Sequence, residues 1–356
     1  MTDKNNIYTS EVAELLKQLI STPSISRQED KAADLIEEFF KAKGFSPHRK
    51  GNNVWAWAGD KDRSKPVLLL NSHIDTVKPS DKWTSDPFSP ILKEDKLTGL
   101  GSNDAGAPLV SLIATFLTLS EKEQPYNLLF AASAEEEISG KNGISSVLEE
   151  FGKVDLGIIG EPTQMQMAVA EKGLMVLDCI AHGKQGHAAR EEGVNAIYKA
   201  LADVEWFRTY RFPKESEFLG PVKMTVTGIK AGIQHNVIPD MCEFMVDVRI
   251  NEHYSNKELF ELIQKSVNCE VKARSFRLNS SGIPIDHPVV KRGIELGLSY
   301  YGSPTTSDQA VMPFTTLKIG PGDSARSHTA NEYVYLHEIE EGIDTYVKLL
   351  DNLQLI

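Results

Sequence analysis

The 356-residue sequence predicts an α/β protein interrupted by a separate α+β domain. Two observations carry this. Short apolar runs at 54–58, 67–71, 127–132, 156–159 and 316–319 alternate with helix-period stretches, as in a sheet covered by helices on its faces. Between 173 and 280 the order becomes strand, helix, strand, strand, helix, strand, which is that of a ferredoxin-like split βαβ unit. The predicted domains are therefore residues 1–172 with 281–356, and the insertion 173–280.

Composition narrows the function. Hydrophobic residues at 41% and charged residues at 25% are ordinary for a globular chain. A net charge of -12 argues against nucleic acid or an anionic membrane as partner, since either favours a basic face. No apolar run approaches the roughly 20 residues of a membrane span, and Met1 to Thr9 is polar, so a cytoplasmic protein is expected. Cys179, Cys242 and Cys269 are scattered, without a C-x-x-C pair. Any metal must then be held by His, Asp and Glu, a donor set that suits zinc, cobalt or manganese.

In order, Ser10 is predicted to cap a helix whose apolar face is Val12, Leu15, Leu16 and Leu19, ending at Pro23. A second helix runs over 29–43 and closes on Gly44. Strands 54–58 and 67–71 follow, then a loop over 79–95 and the glycine-rich stretch Gly99 to Gly106 around Asp104. Pro108 opens a helix to Ser120, and 142–151 reads as another helix. After the insertion come a helix over 287–300, a strand at 316–319 and a last amphipathic helix over 337–353.

The chemistry sits where strands stop. His73 and Asp75 follow the run Val67 to Leu70 and, two apart, project from one face. One can ligate a metal while the other orients it, although an isolated pair reads first as a structural histidine beside a turn aspartate. The run at 127–132 ends in Glu135-Glu136-Glu137, and that at 156–159 in Gly160-Glu161-Pro162-Thr163. Open α/β sheets bind ligands outside the carboxyl ends of their strands, so three acid-bearing ends suggest a shared cation.

Taken together, His73-x-Asp75, Asp104, Glu136-Glu137, Glu161 and Ser327-His328-Thr329-Ala330-Asn331-Glu332 resemble one family over nearly the whole chain. It is the dinuclear zinc family of acetylornithine deacetylase, succinyl-diaminopimelate desuccinylase, aminoacylases and glutamate-type carboxypeptidases. The resemblance implies a zinc-peptidase-like catalytic domain, a central mixed sheet flanked by helices, with the insertion as a lid and dimerisation domain. It also implies two divalent ions, zinc before cobalt or manganese. Asp104 would bridge them, His73 and Glu161 completing one site, Glu137 and His328 the other. Glu136 would be the general base and Asp75 the support of His73, while a second register of the triplet makes Glu135 the base and Glu136 the ligand. The peptide after Asp104 is expected to be cis.

His187, in Gly183-Lys184-Gln185-Gly186-His187-Ala188-Ala189, matches a lid histidine that stabilises the oxyanion in the neighbouring subunit, which implies a homodimer. Arg249 matches the arginine for a substrate α-carboxylate, with Asn236 assisting. Asp308 either faces an ornithine ammonium or serves as a cap or turn aspartate. The runs at 160–163 and 307–308 resemble the N-acylornithine branch, so the substrate expected is a small N-acyl amino acid, losing acetyl or succinyl in arginine biosynthesis. Succinyl-diaminopimelate desuccinylase and a di- or aminopeptidase are the alternatives. A metal-binding scaffold without catalysis would lack a base or a ligand, and none is missing.

Overall fold

Four parallel strands form the centre of the first unit, and each of them stops beside a titratable side chain. The computed structural model describes residues 4–190 and 192–355. Their contacts divide into two units, one of residues 1–169, 283–301 and 307–356 and the other of 170–282 and 302–306. Residues 302–306 cluster with residues 170–282.

In the first unit the sheet runs His48–Lys50, Asn53–Trp57, Asn127–Ser133, Val67–His73, Leu156–Ile159, Thr316–Lys318 and Met167–Glu171. Strands Asn127–Ser133, Val67–His73, Leu156–Ile159 and Thr316–Lys318 are mutually parallel, while the flanking pairings are antiparallel, so the sheet is mixed. Leu68, Leu69 and Leu70 are fully buried, as an apolar run covered on both faces requires. Helix Ala107–Ser120 is buried almost all round, which is why it reads as continuously apolar rather than amphipathic. Phe40, Phe116 and Phe130 pack edge-on and tilted at 5.1–6.1 Å between them.

Several local expectations are corrected. The first helix is Lys4–Ile20, not one capped at Ser10, and within the added stretch the Tyr8 hydroxyl donates to Glu121. The stretch 142–151 is no single helix: Ile144–Ser146 is a 3₁₀ turn and Leu148–Phe151 one short α-turn. Gly143, Ser145 and Ser146 favour turns over helix interiors. Helix Pro288–Glu295 ends early and Tyr300–Ser303 is a strand. The loop after Pro79 contains a hairpin, Ile91–Lys93 with Lys96–Thr98, onto which Tyr333–Tyr335 pairs.

The second unit follows the order Gly173–His182, Ala196–Thr209, Lys223–Ala231, Met241–Ile250, Asn256–Ser266, Glu270–Ala273. Its antiparallel sheet has Met241–Ile250 and Gly173–His182 in the middle, with Lys223–Ala231 and Glu270–Ala273 at the edges. Leu177, Val246 and Val248 from the sheet form one core with Ala200 and Phe207 of the first helix and Leu259 and Ile263 of the second. Strict alternation of buried and half-buried residues along Gly173–His182 shows that the helices cover one face.

Candidate metal centre

His73 is the last residue of strand Val67–His73, and its side chain is 1% exposed. Its Nδ1 lies 2.9 Å from the Asp75 carbonyl oxygen. A carbonyl only accepts, so Nδ1 carries a proton and Nε2 is the ring atom turned toward the acids. That Nε2 points at Asp104 Oδ1 at 3.2 Å, with Glu136 Oε2 and Glu161 Oε1 both at 3.9 Å. Asp104 turns its other oxygen the opposite way: Oδ2 is 3.6 Å from His328 Nε2. His328 Nε2 is also 2.9 Å from Glu137 Oε2. One carboxylate thus lies between two imidazoles, with a further acid beside each.

The loops come from the carboxyl ends of all four parallel strands, plus the turn that precedes helix Ala107–Ser120. The Asp104–Ala105 peptide is cis. Glu135 takes a left-handed conformation at φ 53°, which turns its carboxylate away to accept from the Asn142 side-chain amide at 2.9 Å. Gly140 packs against it so closely that a Cβ would sit 1.9 Å from Glu135 Oε2. Glu136 and Glu137, rather than Glu135, therefore face the cluster.

Two buried acids hold this triplet by its backbone. Asp75 accepts the Glu136 N–H at 3.0 Å and the Glu137 N–H at 3.2 Å, as well as the Ser26 hydroxyl. Glu29, fully buried, accepts the Glu135 N–H at 3.2 Å and the Asn52 side chain at 2.9 Å. Nothing in the sequence pointed to Glu29 or Ser26, because an acceptor for main-chain N–H groups leaves no side-chain pattern.

Electrostatics follows from crowding acids in a buried space. Burial, with the charges of Glu161, Asp308 and Glu137, pushes the Glu136 carboxyl well above its ordinary range despite His73. Burial disfavours the His73 imidazolium, yet Asp104 and Asp75 outweigh it and raise the ring well above its usual value. The hydrogen bond that the His328 ring donates to Glu137 raises His328 to about 9. Burial works against the Asp75 charge, but His73, Ser26 and the Glu136 N–H hold it below the usual carboxylate range.

The donor set fits divalent cations. Within 4.8 Å of one another lie candidate ligand atoms of His73, Glu136 and Glu161, and a second group of His73, Asp104 and Glu137. Carboxylate oxygens and imidazole nitrogens are the ligands of zinc-like ions, and the acids here outnumber the imidazoles available to neutralise them.

The remaining predicted residues are placed as follows. Asp308 is 8% exposed and accepts the Ser133 hydroxyl, so it has a structural partner beneath the cluster. In the second unit, Gly186–His187 pairs with Val237–Ile238, and Ala188 donates to the Asn236 carbonyl at 3.0 Å, which brings His187 and Asn236 onto one ribbon. Arg249 is engaged by Asp247, Nε to Oδ1 at 2.9 Å and Nη2 to Oδ2 at 3.1 Å. Among the described residues, no helix is long and apolar enough to cross a membrane.

Known proteins are similar to this chain along most of its length. It is 29% identical to an acetylornithine deacetylase of Proteus mirabilis, covering 98% of each chain. It is 26% identical to a succinyl-diaminopimelate desuccinylase of Wolbachia pipientis, covering 95% of this chain and 92% of that one. An aminopeptidase PepT of Bacillus cereus has the same fold, with a TM-score of 0.76 at 18% identity over 97% and 98% of the two chains. A dinuclear metal-binding peptidase of Bacillus subtilis, covering 97% and 98%, gives 0.75 at 16%. Residues 69–352 match the model of peptidase family M20/M25/M40, and with two overlapping ligand clusters at its strand ends the chain belongs to that family as a metal-dependent hydrolase of amide or peptide bonds.

Proposed function

We propose that the chain removes the acyl group, acetyl or succinyl, from N-acylornithine in arginine biosynthesis. The observation that carries amide hydrolysis is Asp104 set between His73 and His328 with Glu136 alongside. The ornithine substrate is supported by similarity to the Proteus mirabilis protein along nearly its whole length. A second reading, succinyl-diaminopimelate as substrate, is favoured by the Wolbachia and Orientia relatives that carry that name.

We assign His73, Asp104 and Glu161 to one cation and Asp104, Glu137 and His328 to the other, zinc before cobalt or manganese. When bound, the pair supplies Lewis acidity, acidifying a water and polarising the acyl carbonyl. The chain's own residues do the rest. Glu136 takes the proton of the attacking water on its carboxylate and returns it to the departing amine. Asp75 keeps the Nδ1–H tautomer of His73 and anchors the Glu136 and Glu137 amides, so one aspartate aligns both a ligand and the base. His187, donated between subunits of a homodimer, stabilises the oxyanion. Arg249, oriented by Asp247, takes the substrate α-carboxylate with Asn236, and Asp308 supplies negative charge for the ornithine ammonium. The insertion 173–280 acts as a ferredoxin-like lid and dimerisation domain on the catalytic domain, residues 1–172 and 281–356, in a cytoplasmic enzyme.

The test is a substrate panel on zinc-loaded protein. N-acetylornithine or N-succinylornithine should exceed dipeptides in kcat/KM by at least about tenfold, a difference of ~1.4 kcal/mol in transition-state binding. Preference for N-succinyl-diaminopimelate would transfer the assignment to the second reading, and faster dipeptide cleavage would end both.

A further inference from the structure

Behind Asp104 lies a carboxylate that the proposed reaction does not use. Glu332, 2% exposed, opens strand Tyr333–Tyr335, which pairs with Lys96–Thr98 and so runs beside the chain entering the Asp104 turn. Its Oε1 accepts the Asn103 N–H and the Asp104 N–H, each at 2.9 Å, and its Oε2 accepts the Gly101 N–H at 3.1 Å. The Glu332 carbonyl in turn accepts the Gly99 N–H at 3.0 Å. Among the described residues no cation pairs with this carboxylate.

Three amides aimed at one point need an acceptor there, because buried N–H groups must be paired. Gly101, at φ 73°, makes the turn that aims them. We infer that Glu332 is a positioning residue: it holds the Asp104 backbone so that Oδ1 faces His73 and Oδ2 faces His328. The inference rests on the proposed two-ion reading for its consequence, but its geometry does not. If Asp104 serves both cations, loosening its backbone would degrade both sites without altering any ligand.

The test uses Glu332→Ala and Glu332→Gln in the full-length protein, with melting temperature recorded to normalise for folded fraction. The glutamine carbonyl can keep the two bonds made by Oε1, while its amide opposes the Gly101 N–H. In metal-free protein, hydrogen exchange at Gly101, Asn103 and Asp104 should accelerate at least tenfold in the alanine variant and less in the glutamine variant, with amides elsewhere unchanged. Zinc affinity per folded molecule should fall about 10–100-fold, and kcat by about 100-fold with little change in KM, the glutamine variant lying between. If the alanine variant fails to fold, the glutamine variant decides alone, by faster exchange at Gly101 and a weakened zinc affinity. Unchanged exchange at the three amides, or wild-type zinc affinity, would overturn the inference. Exchange that accelerates in a protein binding no zinc would leave Glu332 as the holder of the turn and remove the two-ion reading instead.

Discussion

The two imidazoles at either end of Asp104 are built differently. His73 ends a regular strand, its ring 1% exposed and its tautomer fixed by a carbonyl. His328 sits in a loop at φ 58°, its ring 56% exposed, with no partner on Nδ1 among the described residues. Ligands locked by packing and outer hydrogen bonds hold a metal tightly, whereas a loosely oriented imidazole gives up binding energy each time it is ordered. The contrast predicts that, of two bound cations, the one beside His73 would be held more tightly than the one beside His328.

The largest effect should come from the residue that serves neither end as an assigned ligand. Glu136→Gln should lower kcat by about 10³–10⁴-fold while zinc content stays at the wild-type level, measured by elemental analysis beside steady-state kinetics. Loss of zinc together with activity would make Glu136 a ligand, a role its 3.9 Å distance from His73 also permits.

Next come the histidines themselves. His73→Ala leaves the buried Asp75 and Asp104 facing a cavity, so both ions and several degrees of melting temperature should be lost, a destabilisation of about 3–5 kcal/mol. His328→Ala faces solvent and should retain one ion and near-native stability. Equal losses from the two substitutions would erase the distinction drawn between the ends.

The smallest effect is the pH dependence contributed by the exposed end, on top of any proton that the raised His73 must also release. His328, raised to about 9 by Glu137, is protonated in the metal-free protein at neutral pH and must release that proton to ligate. Affinity for the second ion should therefore rise with pH up to about 9 and then level. The metal-free fold has the opposite slope: with its folded value above the unfolded ~6.5, the pair stabilises fully below that value and its contribution fades as pH climbs through about 9. Calorimetric zinc titration in buffers of differing ionisation enthalpy counts the proton; none released at pH 7 would contradict this.

Much of the centre was legible because its chemistry lies at the ends of apolar strands, where His73, the Glu135–Glu137 run and Glu161 interrupt a pattern that otherwise has no reason to stop. The scaffold behind it was not. Glu29 reads as a first-turn acid of a helix, and Glu332 as the tail of a motif, because hydrogen bonds to main-chain N–H groups carry no periodicity. The hairpin Ile91–Lys93 with Lys96–Thr98 escaped for a related reason: strands of three residues are set by pairing with Tyr333–Tyr335, far along the chain. Of the triplet, sequence left two registers, and only the fold shows that the left-handed turn at Glu135 faces that side chain toward Asn142.

The most direct test is an anomalous-difference map recorded at the zinc edge from crystals of the zinc-soaked protein. Two peaks are predicted, both touching Asp104, one beside His73 and Glu161 and the other beside Glu137 and His328, with the second losing occupancy first on dilution of zinc. A map with no peak at Asp104, or with a single ion held only by residues outside this set, would contradict the account.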